Sequence, residues 1–223
     1  METILLIEDC SMECLAIPLN MRICKGERTC IVTSGDHETR ELMKLMAGET
    51  YPLSGTVRIS GHDPSTLTRQ QLLDLRKSFG IVQSSGGLIS NLKLWENITL
   101  PLMFRNSELP KEAGEKALNY IEKFGYKGSL MALPGYLSLF EQRMASFIRS
   151  AILDPQIMIY AGCLDNLPDD ELLTFLDADS CLRSGNPDMA SLYITSDTDL
   201  PQNLPADSIL NLRHDSGRYR RPV

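Results

Sequence analysis

The sequence predicts an α/β fold: a mixed sheet core, an antiparallel β part at the N-terminus and an inserted helical subdomain. Three observations lead there. Short apolar runs of strand length alternate with helical patterns, the arrangement that builds a parallel or mixed sheet flanked by helices. Residues 86–154 carry helical character without a strand signal, so they form the insert. Residues 30–48 read as a buried strand, a tight loop and a helix, with Leu42, Met43, Leu45 and Met46 at helical spacing and Gly48 just past the end.

Along the chain, apolar bursts at 4–7, 14–17 and 21–23 alternate with polar residues and predict a small antiparallel sheet. Lys25, Gly26 and Glu27 make a turn before the buried strand at 29–32. A strand is expected between Gly55 and Gly61, a helix over 69–77 and a short strand over 79–83. Ser84, Ser85, Gly86 and Gly87 then break the pattern. Pro110 opens a helix whose Ala113, Ala117, Leu118, Ile121 and Phe124 share one face. Another helix covers 138–152, and strands return at 157–160, 191–195 and 208–212. Asp165, Asp169 and Asp170 read as an acidic turn.

At 223 residues the chain is long enough for one sizeable core, and 43% hydrophobic content is ordinary for a globular protein. A net charge of −7 argues against nucleic acid as a partner; the one basic cluster is the tail with Arg213, Arg218, Arg220 and Arg221. No run is long enough to span a bilayer, and the N-terminus lacks a basic region and signal core, so a cytosolic chain is expected. The six cysteines are scattered without a CxxC pair and are expected to be reduced thiols.

Several short landmarks now fall in order. They are Lys25-Gly26-Glu27 before the buried strand, Ser54-Gly55-Thr56-Val57 after the first helix, and Leu75-Arg76 ahead of Gly80-Ile81-Val82-Gln83. Trp95-Glu96-Asn97-Ile98 and Asp154-Pro155 follow. In this series the chain resembles an ABC-transporter ATPase domain, nearly end to end. The run 83–102 is most similar to ATPases of the Mla/Mce type, which serve lipid transport. The resemblance implies a P-loop NTPase fold in one domain, 1–223, with 1–85 and 155–223 as α/β core and 86–154 as helical subdomain. It also implies a membrane permease as partner, pairing as an ATPase homodimer or heterodimer, and a place on the cytoplasmic face of the inner membrane.

The residues that carry the family's activity depart from its pattern. A phosphate loop needs glycines, a lysine for the phosphates and a Ser/Thr hydroxyl for magnesium. Aligned without gaps, its glycines correspond to Thr33, Asp36 and Glu38, its lysine to Thr39 and its hydroxyl to Arg40; Gly35 is one place off. Where the second motif has two carboxylates, Ala161 and Gly162 stand, and the switch histidine is Ser196. The signature reads Leu137-Ser138-Leu139-Phe140-Glu141, in which Ser138 and Glu141 have the spacing of a capping box. Gln83, Ser138 and Asp165 remain as matches to family positions. These departures predict a pseudo-ATPase: no catalytic residues, no enzyme activity, and neither ATP nor magnesium as cofactor. The alternatives are an ABC ATPase with an atypical ATP site, or a stand-alone soluble interaction protein of the same fold. Docking on the permease is expected through Leu88, Asn91, Leu92, Lys93, Trp95 and Glu96.

Overall fold

The protein is described by a computed structural model covering residues 2–105, 110–213 and 219–220. Strand β1 (Thr3–Ser11) lies between β2 (Leu19–Cys24) and β4 (Ser54–Ile59), antiparallel to both, in the N-terminal sheet the alternating pattern predicts. The apolar burst at 14–17 is not a strand. It belongs to the β1–β2 connection, where Ile17 is exposed, because β1 already has both its edges paired.

The second sheet is built on β3 (Arg28–Val32), β5 (Phe79–Gln83), β6 (Ile157–Ala161), β7 (Ala190–Thr195), β8 (Ser208–Asn211) and β9 (Tyr219–Arg220). Their order is β5-β6-β7-β3-β8-β9, parallel except for the last pair. Successive side chains point to opposite faces of a strand. Ile157 and Ile159 therefore pack with the N-terminal sheet and helix α1 (Asp36–Met46), while Met158 and Tyr160 pack with the helices of the other face. Both faces of β6 are covered, which is why its sequence is continuously apolar rather than alternating.

Helix α1 ends at Met46 and is capped through Ala47 and then Gly48, whose φ of 62° favours glycine. Arg76, at the end of α2 (Arg69–Arg76), donates from Nε to the carbonyl of Ala47 (3.0 Å) and from Nη2 to that of Gly48 (2.9 Å). It thereby satisfies the carbonyls that a helix end leaves open. Helices α3 (Leu94–Arg105), α4 (Pro110–Lys123) and α5 (Leu139–Ala151) lie within 86–154, separated by irregular stretches rather than forming continuous helix. Helix α6 (Asp169–Gly185) is the largest departure from the sequence reading, which took its start for an acidic turn. Asp169, Asp170 and Glu171 occupy its first turn, where carboxylates favour a helix. Buried Leu172, Phe175, Ala178 and Leu182 were the periodic signal.

Candidate functional site

The parallel strands deliver their C-terminal ends to one edge, where ligands bind in open α/β sheets. The loop after β3 is short: Thr33, Ser34 and Gly35 lead directly into α1. Thr33 donates its amide to Thr195 O (2.8 Å) and its hydroxyl to the same carbonyl (3.1 Å), while its Oγ1 also lies 2.7 Å from that of Thr39. Both threonines are buried. Ser34 donates its amide to Oε2 of Glu38 at 2.6 Å. Gly35 stands at the N-cap with no side-chain cap, so the first-turn N–H groups of α1 face outward without a side-chain acceptor.

A cavity of about 260 Å³ opens beside this loop. Its walls include Asp36, Thr39 and Arg40 of α1, Gln83 at the end of β5 with Ser84 after it, and Ala161 at the end of β6 with Gly162 after it. Gly162 has φ 65°, and a Cβ there would sit 3.5 Å from Ser84 Cβ, 3.7 Å from Thr39 Cγ2 and 3.9 Å from Asp165 Oδ2. The loop after β5, helix α1 and the loop after β6 thus meet at one glycine. Asp165 is buried and accepts from Thr195 Oγ1 (2.6 Å), Ser196 N (3.0 Å) and Ser196 Oγ (3.1 Å). It is a fixed bracket between β6 and β7 rather than part of a loose acidic turn.

Two arginines that the sequence reading did not place here hold the site together. Buried Arg143 of α5 donates Nε to Ser84 O (2.8 Å) and Nη1 to Asp165 O (3.3 Å). Arg213, read as part of a basic tail, donates Nε to Thr33 O (3.0 Å) and Nη2 to Ser196 O (2.9 Å). Arg218 and Arg221 lie outside the described residues. Burial, and after it the Asp165 charge, pushes the Cys30 thiol up to about 12, so it stays protonated. All six cysteines are free.

Ser138 is a cap: it accepts from Glu141 N (3.1 Å), and Glu141 Oε2 accepts from Ser138 N (2.7 Å). Of the expected docking residues, Asn91, Lys93 and Glu96 are exposed, whereas Leu88 and Trp95 pack against the helical core. The Trp95 ring lies over Gly114, where a Cβ would be 3.4 Å from Cζ2, so it is half-buried rather than a free anchor. A second cavity, about 370 Å³, lies against the neighbouring face of α1, with His37, Glu41, Cys14 and the exposed ring of Tyr51 in its wall.

The family model for ABC transporters matches residues 19–161, from β2 through β6. The chain belongs to the ABC transporter family. It is 27% identical over 143 residues to the intermembrane phospholipid transport system ATP-binding protein MlaF of Haemophilus influenzae, covering 64% of this chain and about half (54%) of that protein's length. It is 26% identical over 205 residues to the lipoprotein-releasing system ATP-binding protein LolD of Legionella pneumophila, covering 91% of this chain and 88% of that one. The fold matches the ATP-binding cassette MJ0796, solved as a dimer in a post-hydrolysis state bound to ADP and Pi. The TM-score is 0.83 at 19% identity, covering 97% of this chain and 98% of that one.

Membership in this family overturns two expectations: that the chain is not an enzyme, and that it takes neither ATP nor magnesium. The family is one of ATPases that bind ATP with magnesium, and the matched relatives are ATP-binding proteins. The physical reason lies in the backbone. Much of a phosphate site is made by free N–H groups and the dipole at a helix start, and the uncapped start of α1 keeps both whatever side chains follow. Magnesium commonly binds through one or two carboxylates, with phosphate oxygens and water completing its octahedron. Among the described residues Asp36 is the single carboxylate in the wall of the first cavity, which meets the lower end of that requirement.

Proposed function

We propose that the chain is the ATP-binding, ATP-hydrolysing subunit of a membrane transport system, with an atypical nucleotide site in the cavity between α1, β5 and β6. The observation that carries this reading is the placement of that cavity. It sits at the uncapped start of α1 and the ends of the parallel strands, and its lining residues other than Gly162 fall inside the stretch the ABC transporter model matches. The open N–H groups of α1 receive phosphate oxygens, and Arg40, among the described residues the one cationic side chain in the wall, pairs with them. Asp36 would hold magnesium, and the metal would supply charge neutralisation to the phosphates. Gln83, in the wall of the same cavity, would orient water there. The exposed Tyr51 ring in the wall of the second cavity would offer an aromatic face to a nucleotide base.

The rest of the chain serves transport. The helical subdomain, 86–154, presents Asn91, Leu92, Lys93 and Glu96 to a membrane permease, and the α/β core of 1–85 and 155–223 pairs with a second ATPase subunit. Among the described residues no helix is long and apolar enough to cross a membrane, so a peripheral position on the cytoplasmic face is reached through that permease. Relatives named for phospholipid transport and lipoprotein release support a lipidic cargo.

Calorimetric titration of the purified chain with ATP, with and without magnesium, tests this reading. Saturable binding that weakens when magnesium is withheld, and weakens further in Arg40→Glu, is the expected result. No heat of binding at millimolar ATP with magnesium present would overturn it.

A further inference from the structure

The loop that should hold phosphate already holds an anion. Oε2 of Glu38 accepts the Ser34 amide at 2.6 Å, in a residue that is 6% exposed. This is a short, charge-assisted bond of the kind a phosphate oxygen makes with a backbone N–H at a helix start. The sequence makes it possible because the loop is only Thr33, Ser34 and Gly35, so the carboxylate four residues on reaches back to Ser34. Among the described residues Glu38 makes no ion pair, and the bond to Ser34 is its only hydrogen bond to a partner group. A buried carboxylate so thinly compensated is weakly held.

We propose that the Glu38 carboxylate is the resting occupant of the phosphate loop, and that nucleotide binds by displacing it from the Ser34 amide. This rests on the nucleotide-binding reading above and adds a regulatory contact to the same site. In the resting chain the Ser34 N–H is satisfied and the loop carries a negative charge; with the side chain swung out, both obstacles go. Only the displaced state is competent, so observed affinity falls by the fraction of chains in that state. Anything that draws Glu38 outward, such as a cation brought by a partner subunit, raises affinity without touching the nucleotide.

The test compares the full chain with Glu38→Gln, Glu38→Gly and Glu49→Gln, titrating each with magnesium and ATP by calorimetry. The Ser34 amide is followed by NMR in parallel. Glu38→Gln keeps the size and an acceptor for Ser34 but loses the charge; Glu49→Gln makes the same charge change at an exposed position away from the cavity. Both Glu38 variants are expected to bind at least about tenfold tighter than the unaltered chain, with Glu49→Gln unchanged. The Ser34 resonance of the unaltered chain should move on adding ATP toward its position in nucleotide-bound Glu38→Gly. Binding by the variants alone, with none by the unaltered chain at millimolar ATP, overturns displacement of Glu38 by nucleotide. Equal affinities in all four proteins overturn the role of Glu38 and leave nucleotide binding standing. Absence of binding in every one overturns both. Where Glu38→Gly does not fold, Glu38→Gln carries the comparison.

Discussion

Asn97 has no exposed surface, yet it is an amide among aliphatic neighbours. Its Nδ2 donates to the carbonyls of Ile89 (3.0 Å), Leu92 (3.1 Å) and Lys93 (3.2 Å), and its Oδ1 accepts from Ile89 N (2.8 Å). One side chain thus clips the irregular stretch before α3 onto the helix, fixing the positions of Asn91 and Lys93. Asn97→Ala would leave buried backbone groups unpaired, at about 1–3 kcal/mol for each that water cannot reach. A loss of at least that size in a urea unfolding curve is expected, with faster exchange of the Ile89 amide. An unchanged midpoint would mean that water replaces the clip. At this scale the sequence was only partly readable. Asn97 stood inside a recognised string, but its four bonds depend on loop geometry that spacing does not reveal. Arg143 and Arg213 were hidden for the same reason: each reaches carbonyls far away in sequence.

At the scale of elements, apolar period and turn residues were enough to place β3, β5, β6, β7 and α1, because each has strongly one-sided or continuous burial. Helix α6 escaped because its acidic start resembles a loop. That helix carries a buried carboxylate, Asp179, which accepts from Tyr160 and, at 2.9 Å, from Tyr193, so α6 is bonded to both β6 and β7. Burial raises the Asp179 pKa, against the opposing pull of the two phenols and of Arg183 and Arg28. A carboxyl whose pKa is higher folded than unfolded binds its proton more readily in the native state. Its ionisation therefore costs stability above the folded pKa, and the cost is relieved as pH falls through it. Asp179→Asn, which keeps a partner for each phenol, is expected to raise the melting temperature at neutral pH. That advantage should shrink as the pH is lowered toward the ordinary carboxylate range. A variant that melts lower at every pH would show that the charge itself holds α6 in place.

For the molecule as a whole, the sequence pattern was sufficient for fold and family but misleading about the site. Reading each consensus position as a side-chain requirement discounted the backbone contribution at the start of α1, where no side chain caps the open N–H groups. The permease surface proposed from the same pattern has Asn91, Lys93 and Glu96 outward and Trp95 turned toward α4. Lys93→Glu should reduce recovery of an integral membrane subunit in affinity purification from native membranes while leaving the melting temperature within about a degree of the original, since exposed charges contribute little to stability. Undiminished recovery would place the permease elsewhere.

The central claim is that nucleotide occupies the cavity between α1, β5 and β6. Amide hydrogen exchange of the intact chain, with and without saturating ATP and magnesium, reads it directly. Protection is predicted at 34–40, 83–85 and 161–162, with little change in the loop before α3. Exchange unaltered in all three segments, or protection confined to other parts of the molecule, would contradict it.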